Sequence, residues 1–158
     1  MAELHELASL SSDIGRSERK STANMSVETK TAYEILGGEA AVQALAWNFY
    51  NIMDNDPAYA ALRAMHAQDL APVRDSFAGF LSGWLGGPRD WLVARGGFCI
   101  MSRHADMGIT KQTSDQWLAA MRAAMDSVVE DAALYARMDG AFTRLAEAMS
   151  WSDKAEAE

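Results

Sequence analysis

His104 is one of three histidines in a 158-residue sequence, and it stands out by its setting. It lies in "FCIMSRHADMGIT", Phe98 to Thr110, directly behind Arg103 and among the apolar residues Ile100, Met101 and Met107. An imidazole delivered to an apolar interior can reach and hold a bound group. Taken alone, such a histidine is more often a packed or surface side chain than a ligand, and both readings stand. The single cysteine, Cys99, cannot form an intrachain disulfide or supply a four-ligand zinc site, which fits a reducing, cytoplasmic setting. Its simplest role is that of a small apolar residue.

The elements that must position these residues read as helices. "TAYEILGG" spaces Thr31 three residues before Glu34, as a capping box does, and Gly37-Gly38 then stops a very short helix. A longer helix runs from Glu39 to about Asp54, with Val42, Leu45, Ala46, Phe49, Ile52 and Met53 on one face, and "DNDP" ends it. "AYAALRAMHAQD" reads as irregular. A second long helix opens near Ala71-Pro72 and carries Val73, Phe77, Phe80, Leu81 and Trp84 on its apolar face. After Gly86-Gly87-Pro88 about fifteen residues, Gly96-Gly97 among them, lack helical period and read as an extended loop that delivers His104. Thr113 and Gln116 have a second capping-box spacing and open a third long helix, bearing Trp117, Met121, Ala124, Met125 and Val128. A fourth, from about Asp131 to Trp151, shows Leu134, Met138, Phe142, Leu145 and Met149. Strand-period alternation is absent from the sequence. The class is all-α, and on periodicity alone it is a plain bundle. The loop argues otherwise, since loops beyond ~12 residues without secondary structure usually serve a function.

Composition narrows the function classes. One domain of this length buries roughly 70% of the surface its unfolded chain would expose, enough for a core with an internal pocket. Ten methionines, five tryptophans and only three prolines favour a helical protein with an adaptable interior. A formal charge of -8 without a basic patch argues against nucleic acid as a partner. No uncharged apolar run approaches the ~20 residues a membrane helix needs. Glu3, Glu6, Asp13 and Glu18 stand where a signal peptide would be basic and then apolar, so the expectation is a soluble, unexported protein with no membrane partner. Residues 1–30 read as an extension, flexible or partly helical, 31–151 as the domain and 152–158 as a tail.

"YEILGG", "NFYNIMDNDPAYAALRAMH", "DLAPVRDSFAGFLSGWLGGP", "SRHADMGI" and "DQWLAAMRAAMD" occur in the order and spacing of the truncated haemoglobins, group II, and the chain resembles that family from about Ala32 to Trp151. The resemblance implies a globin-like two-over-two helical sandwich that holds haem b. It implies that His104 is the proximal iron ligand, leaving the sixth position to a gas, and that Arg103 pairs with a haem propionate. Val73 and Phe77 match the positions of the distal helix that face the haem; Met107 and Trp84 are expected to contact the cofactor as well.

On the distal side Tyr50, Trp117 and His66 match the positions that handle the bound ligand. Each of these three also has a bland reading, aromatic packing for Tyr50 and Trp117 and a solvent-facing loop for His66. In the family reading an O–H and an indole N–H in a dry pocket hold dioxygen tightly, and His66 donates a third hydrogen bond or itself approaches the iron. Tight oxygen binding suits redox chemistry, with nitric oxide converted to nitrate or peroxide reduced and a reductase as partner. The alternative is oxygen binding without turnover, for storage or sensing. The residues following His104 depart from the family pattern, with Asp106 and Met107 where relatives commonly have proline and an aromatic. His5 has no role at the iron.

Overall fold

The computed structural model describes residues 29–97, 104 and 107–150. Most of the expected N-terminal extension, the C-terminal tail, Cys99, Arg103 and Asp106 lie outside the described residues.

Helix α1 (Ala32–Leu36) opens with the capping box read from the sequence: Glu34 N–H donates to Thr31 Oγ1 at 3.2 Å and Thr31 N–H to Glu34 Oε2 at 2.8 Å. Gly37 and Gly38 end it with φ of 123° and 77°, a left-handed pair that side-chain-bearing residues rarely adopt. The chain turns there directly into α2 (Glu39–Asn55), whose buried face is Val42, Leu45, Ala46, Phe49, Tyr50 and Met53.

Three local expectations are corrected. The stretch read as irregular is ordered: Asp56 accepts from Ala58 N–H at 2.9 Å and opens a 3-10 turn, Pro57–Tyr59, followed by α3 (Ala60–Ala64). Both pieces are too short for an apolar period to show. The loop after α4 (Ala71–Trp84) contains α5 (Asp90–Ala94), held by packing rather than by its own pattern. Trp91 lies over Gly79 and Leu92 over Gly83, where an added Cβ would collide with the ring and the isobutyl group. Finally, α6 (Lys111–Val128) is capped by Thr110 with Thr113, so Thr113 sits in the first turn rather than before it.

Helix α7 (Ala132–Ser150) completes the fold, its first turn capped by Asp131, which accepts from Leu134 N–H at 2.8 Å. Among the described helices, α2 packs on α4 and on α6, and α6 packs on α7. The pair α2 and α4 thus lies over the pair α6 and α7, which is the two-over-two arrangement, and the described residues include no strand. Val42, Leu45, Ala46, Leu81, Ala120, Met121, Ala124 and Met125 have no exposed surface and form the seam between the pairs. Each large apolar side chain buried there contributes about 1.5 to 3 kcal/mol. No helix among the described residues is long and apolar enough to cross a membrane.

Candidate haem and ligand site

Beside this seam the helices do not close on one another, and they leave a cavity of about 170 Å³. Its wall is mostly apolar: Val73, Phe77 and Phe80 from α4, and Phe142, Leu145 and Met149 from α7. Nitrogen and hydroxyl groups come to it from Tyr50 on α2, His66 in the turn after α3, Trp117, Thr113 and Ser114 on α6, and His104.

Phe49 is the hub that sets the aromatic positions. It is 1% exposed, and around it stand Tyr50, Phe77 and Trp117, with ring centroids at 4.9, 5.6 and 5.8 Å. Because Phe49 and Tyr50 are consecutive on α2, one ring enters the seam while the next turns to the cavity. Tyr50 meets Phe77 edge-on at 6.0 Å and His66 edge-on at 6.0 Å. Trp117 is braced from below by Phe142 at 5.5 Å. Neither the Tyr50 hydroxyl nor the Trp117 indole N–H is hydrogen-bonded to a described residue, so both polar hydrogens are available to a guest. Burial pushes the Tyr50 phenol well above its ordinary range and keeps it protonated as a donor.

His66 is held differently. Its Nδ1 lies 2.9 Å from the Leu62 carbonyl oxygen, which can only accept, so the ring proton sits on Nδ1 and Nε2 carries a lone pair. Burial is the main cause holding its pKa below the ordinary histidine value; the Leu62 bond opposes this, and Arg63 and His104 add to the lowering. The neutral ring is therefore an acceptor or a metal donor at Nε2. In that tautomer Nε2 offers a lone pair, where the family resemblance implies a third donor or an approach to the iron.

The residues present fit a haem. An apolar slot lined by aromatic rings, with imidazoles at its wall, provides for a flat macrocycle carrying an iron.

Comparison with known proteins decides the family. The bacterial-like globin family matches residues 31–151. The chain is 32% identical to the group 2 truncated hemoglobin YjbI of Bacillus subtilis over 96 residues, 61% of this chain and 70% of that one. Among solved structures it resembles the group II 2-on-2 hemoglobin of the plant pathogen Agrobacterium tumefaciens, with TM-score 0.75 and 39% identity over 79% of this chain and 97% of that one. The truncated hemoglobin of the Antarctic marine bacterium Pseudoalteromonas haloplanktis TAC125 superposes with TM-score 0.74 at 39% identity, covering 76% and 97% of the two chains. The chain belongs to the bacterial-like globins, as a group II truncated haemoglobin. Binding of haem and of oxygen follows from that membership.

In this globin the cavity brings together His104, His66, Tyr50, Trp117, Val73, Phe77 and Met107. His104 is half-buried and lines the same cavity as His66. Met107 stands at the rim, 50% exposed. Trp84 does not line the cavity. It stacks on Phe142 at 5.0 Å and on Phe80 at 6.4 Å, its buried indole N–H without a partner among the described residues, and so supports two rings that do line it. The cavity also takes Leu62, Met65, Ile109, Thr113 and Ser114, which sequence reasoning did not assign to it. For Phe142, Leu145 and Met149 a signal existed: they share the apolar face of α7, which the sequence showed without showing that part of it borders a cavity. Ser114 Oγ donates to Ala146 O at 2.7 Å, tying α6 to α7 at the cavity floor.

Proposed function

We propose that this globin binds haem b through His104 and holds dioxygen tightly enough to react with nitric oxide, or in the ferric state to reduce peroxide, rather than to deliver oxygen. Haem supplies an iron that takes a diatomic ligand and exchanges electrons with it. The chain's own contribution is the wall around that ligand. Tyr50 and Trp117 are the candidate donors to the negative charge that gathers on oxygen, and in a water-poor cavity such bonds are strong. His66 Nε2 is the acceptor that balances them, suited to a hydroxyl, a water or a hydroperoxide proton. Arg103 remains the candidate partner for a propionate, and Val73, Phe77 and Met107 the candidate apolar contacts.

The observation that carries the reading is that Tyr50 and Trp117, each bearing a polar hydrogen, both line a mostly apolar cavity beside His66 and His104. Nitric oxide, dioxygen and one electron make nitrate, so the reaction would consume one electron per turnover, and a reductase is the implied partner. A cytoplasmic location would supply it. Mixing the oxygenated protein with nitric oxide should give nitrate and the ferric form within the mixing time. Slow oxygen release with no nitrate would instead mark a storage or sensing protein.

A further inference from the structure

We propose that Arg63 is the positioning residue of this site, a clasp that holds the His66 ring in the cavity wall and off the iron. The proposal rests on the haem-binding reading. Arg63 lies in the last turn of α3, and its guanidinium joins two pieces of chain. On one side Nε donates to Asp54 Oδ1 at 2.7 Å, one helical turn beyond Tyr50 on α2. On the other, Nη1 donates to Ala67 O at 2.9 Å and His66 O at 3.5 Å, and Nη2 to Gln68 O at 3.1 Å.

The ion pair is the lesser part of this. Its side chains are 24% and 49% exposed, where solvent screens most of the attraction. The three carbonyls matter more, because they follow a helix of one turn and have no continuing helix to bond them. A planar guanidinium with five fixed N–H donors can span all three and still hold a carboxylate; an ammonium cannot. Arg63 therefore fixes the backbone that carries His66, and the Nδ1–H bond to Leu62 fixes the ring.

That fixation has a chemical consequence. A neutral imidazole with its lone pair at Nε2, in the same cavity as His104, is itself a competent iron ligand. The Leu62 bond and the clasp are what would hold it in the wall rather than on a bound iron. With the clasp intact the ring stays in the wall as an acceptor. With the clasp gone, the turn at 66–68 relaxes and Nε2 competes for the metal. The apparent ligand affinity is then divided by the fraction of molecules still open.

The test uses the haem-loaded protein, read by absorption and electron paramagnetic resonance in the ferric and ferrous states, with circular dichroism to confirm the fold. Wild type should be five-coordinate when ferrous, Arg63→Met six-coordinate and low-spin, and Arg63→Met with His66→Ala five-coordinate again. Carbon monoxide association should slow about tenfold in Arg63→Met and recover in the double variant. Arg63→Lys and Asp54→Asn, which disturb the fold less, should show smaller shifts in the same direction. The proposal is overturned if wild type is already low-spin through His66, if Arg63→Met and Asp54→Asn both leave the spectra unchanged, or if the low-spin signal survives removal of His66. A wild-type protein without a Soret band would overturn the haem reading itself, which the other outcomes leave standing.

Discussion

Tyr50 and Trp117 reach the cavity from within long helices, whereas His66 reaches it from the turn after a helix of five residues. The first two are fixed by what they pack against: Phe49, Phe77 and Phe142 surround them with rings whose centroids lie 4.9 to 6.0 Å away. His66 is fixed by what it bonds to, through its own Nδ1 and through the Arg63 guanidinium on the carbonyls around it. Packing is shared among many weak contacts and tolerates the loss of any one polar group. A clasp of a few hydrogen bonds changes state when one residue is removed. On the proposed reading the globin combines donors held by packing with one acceptor held by hydrogen bonds, and the two should respond differently to substitution.

The largest effect should come from the aromatic wall. Phe142 is 1% exposed and touches both Trp84 and Trp117, so Phe142→Ala should lower the unfolding free energy by about 3 to 5 kcal/mol in a denaturant titration. A loss below about 1 kcal/mol would mean that the wall is not held by packing. A smaller and purely functional effect should follow when the donors alone are removed. Tyr50→Phe or Trp117→Phe should speed oxygen dissociation about tenfold, the loss of a buried hydrogen bond worth about 1 to 2 kcal/mol, with the fold unchanged. Unchanged off-rates in both variants would leave the cavity without its assigned donors and erase the contrast with His66.

How much of this was legible in the sequence follows the same division. The long helices were, because Val42, Leu45 and Phe49, or Leu134, Met138 and Phe142, repeat with helical period over several turns. So were the side chains those helices present, Tyr50 and Trp117 among them, once the family resemblance gave their faces a purpose. The one-turn pieces were not. α3 and α5 are too short for a period, and α5 owes its place to the fit of Trp91 and Leu92 over Gly79 and Gly83, a contact between distant parts of the chain. The start of α6 was misplaced by three residues because Thr113 and Gln116 have the Thr-x-x-Gln spacing, whereas the cap that forms pairs Thr110 with Thr113, which that pattern does not cover. The Trp84 ring, on the expected face of α4, ends one turn past the cavity. The tautomer of His66 and the clasp of Arg63 depend on carbonyl directions, which no pattern of residue types encodes.

The central claim is that one imidazole, that of His104, anchors the cofactor in this cavity. Titrating hemin into the purified protein and into His104→Ala, and recording the Soret band and its resistance to competition by apomyoglobin, addresses it directly. The wild-type protein should take up hemin in equimolar amount and keep it, while His104→Ala should lose it to the competitor. Equal retention and an unchanged Soret band in His104→Ala would contradict the assignment.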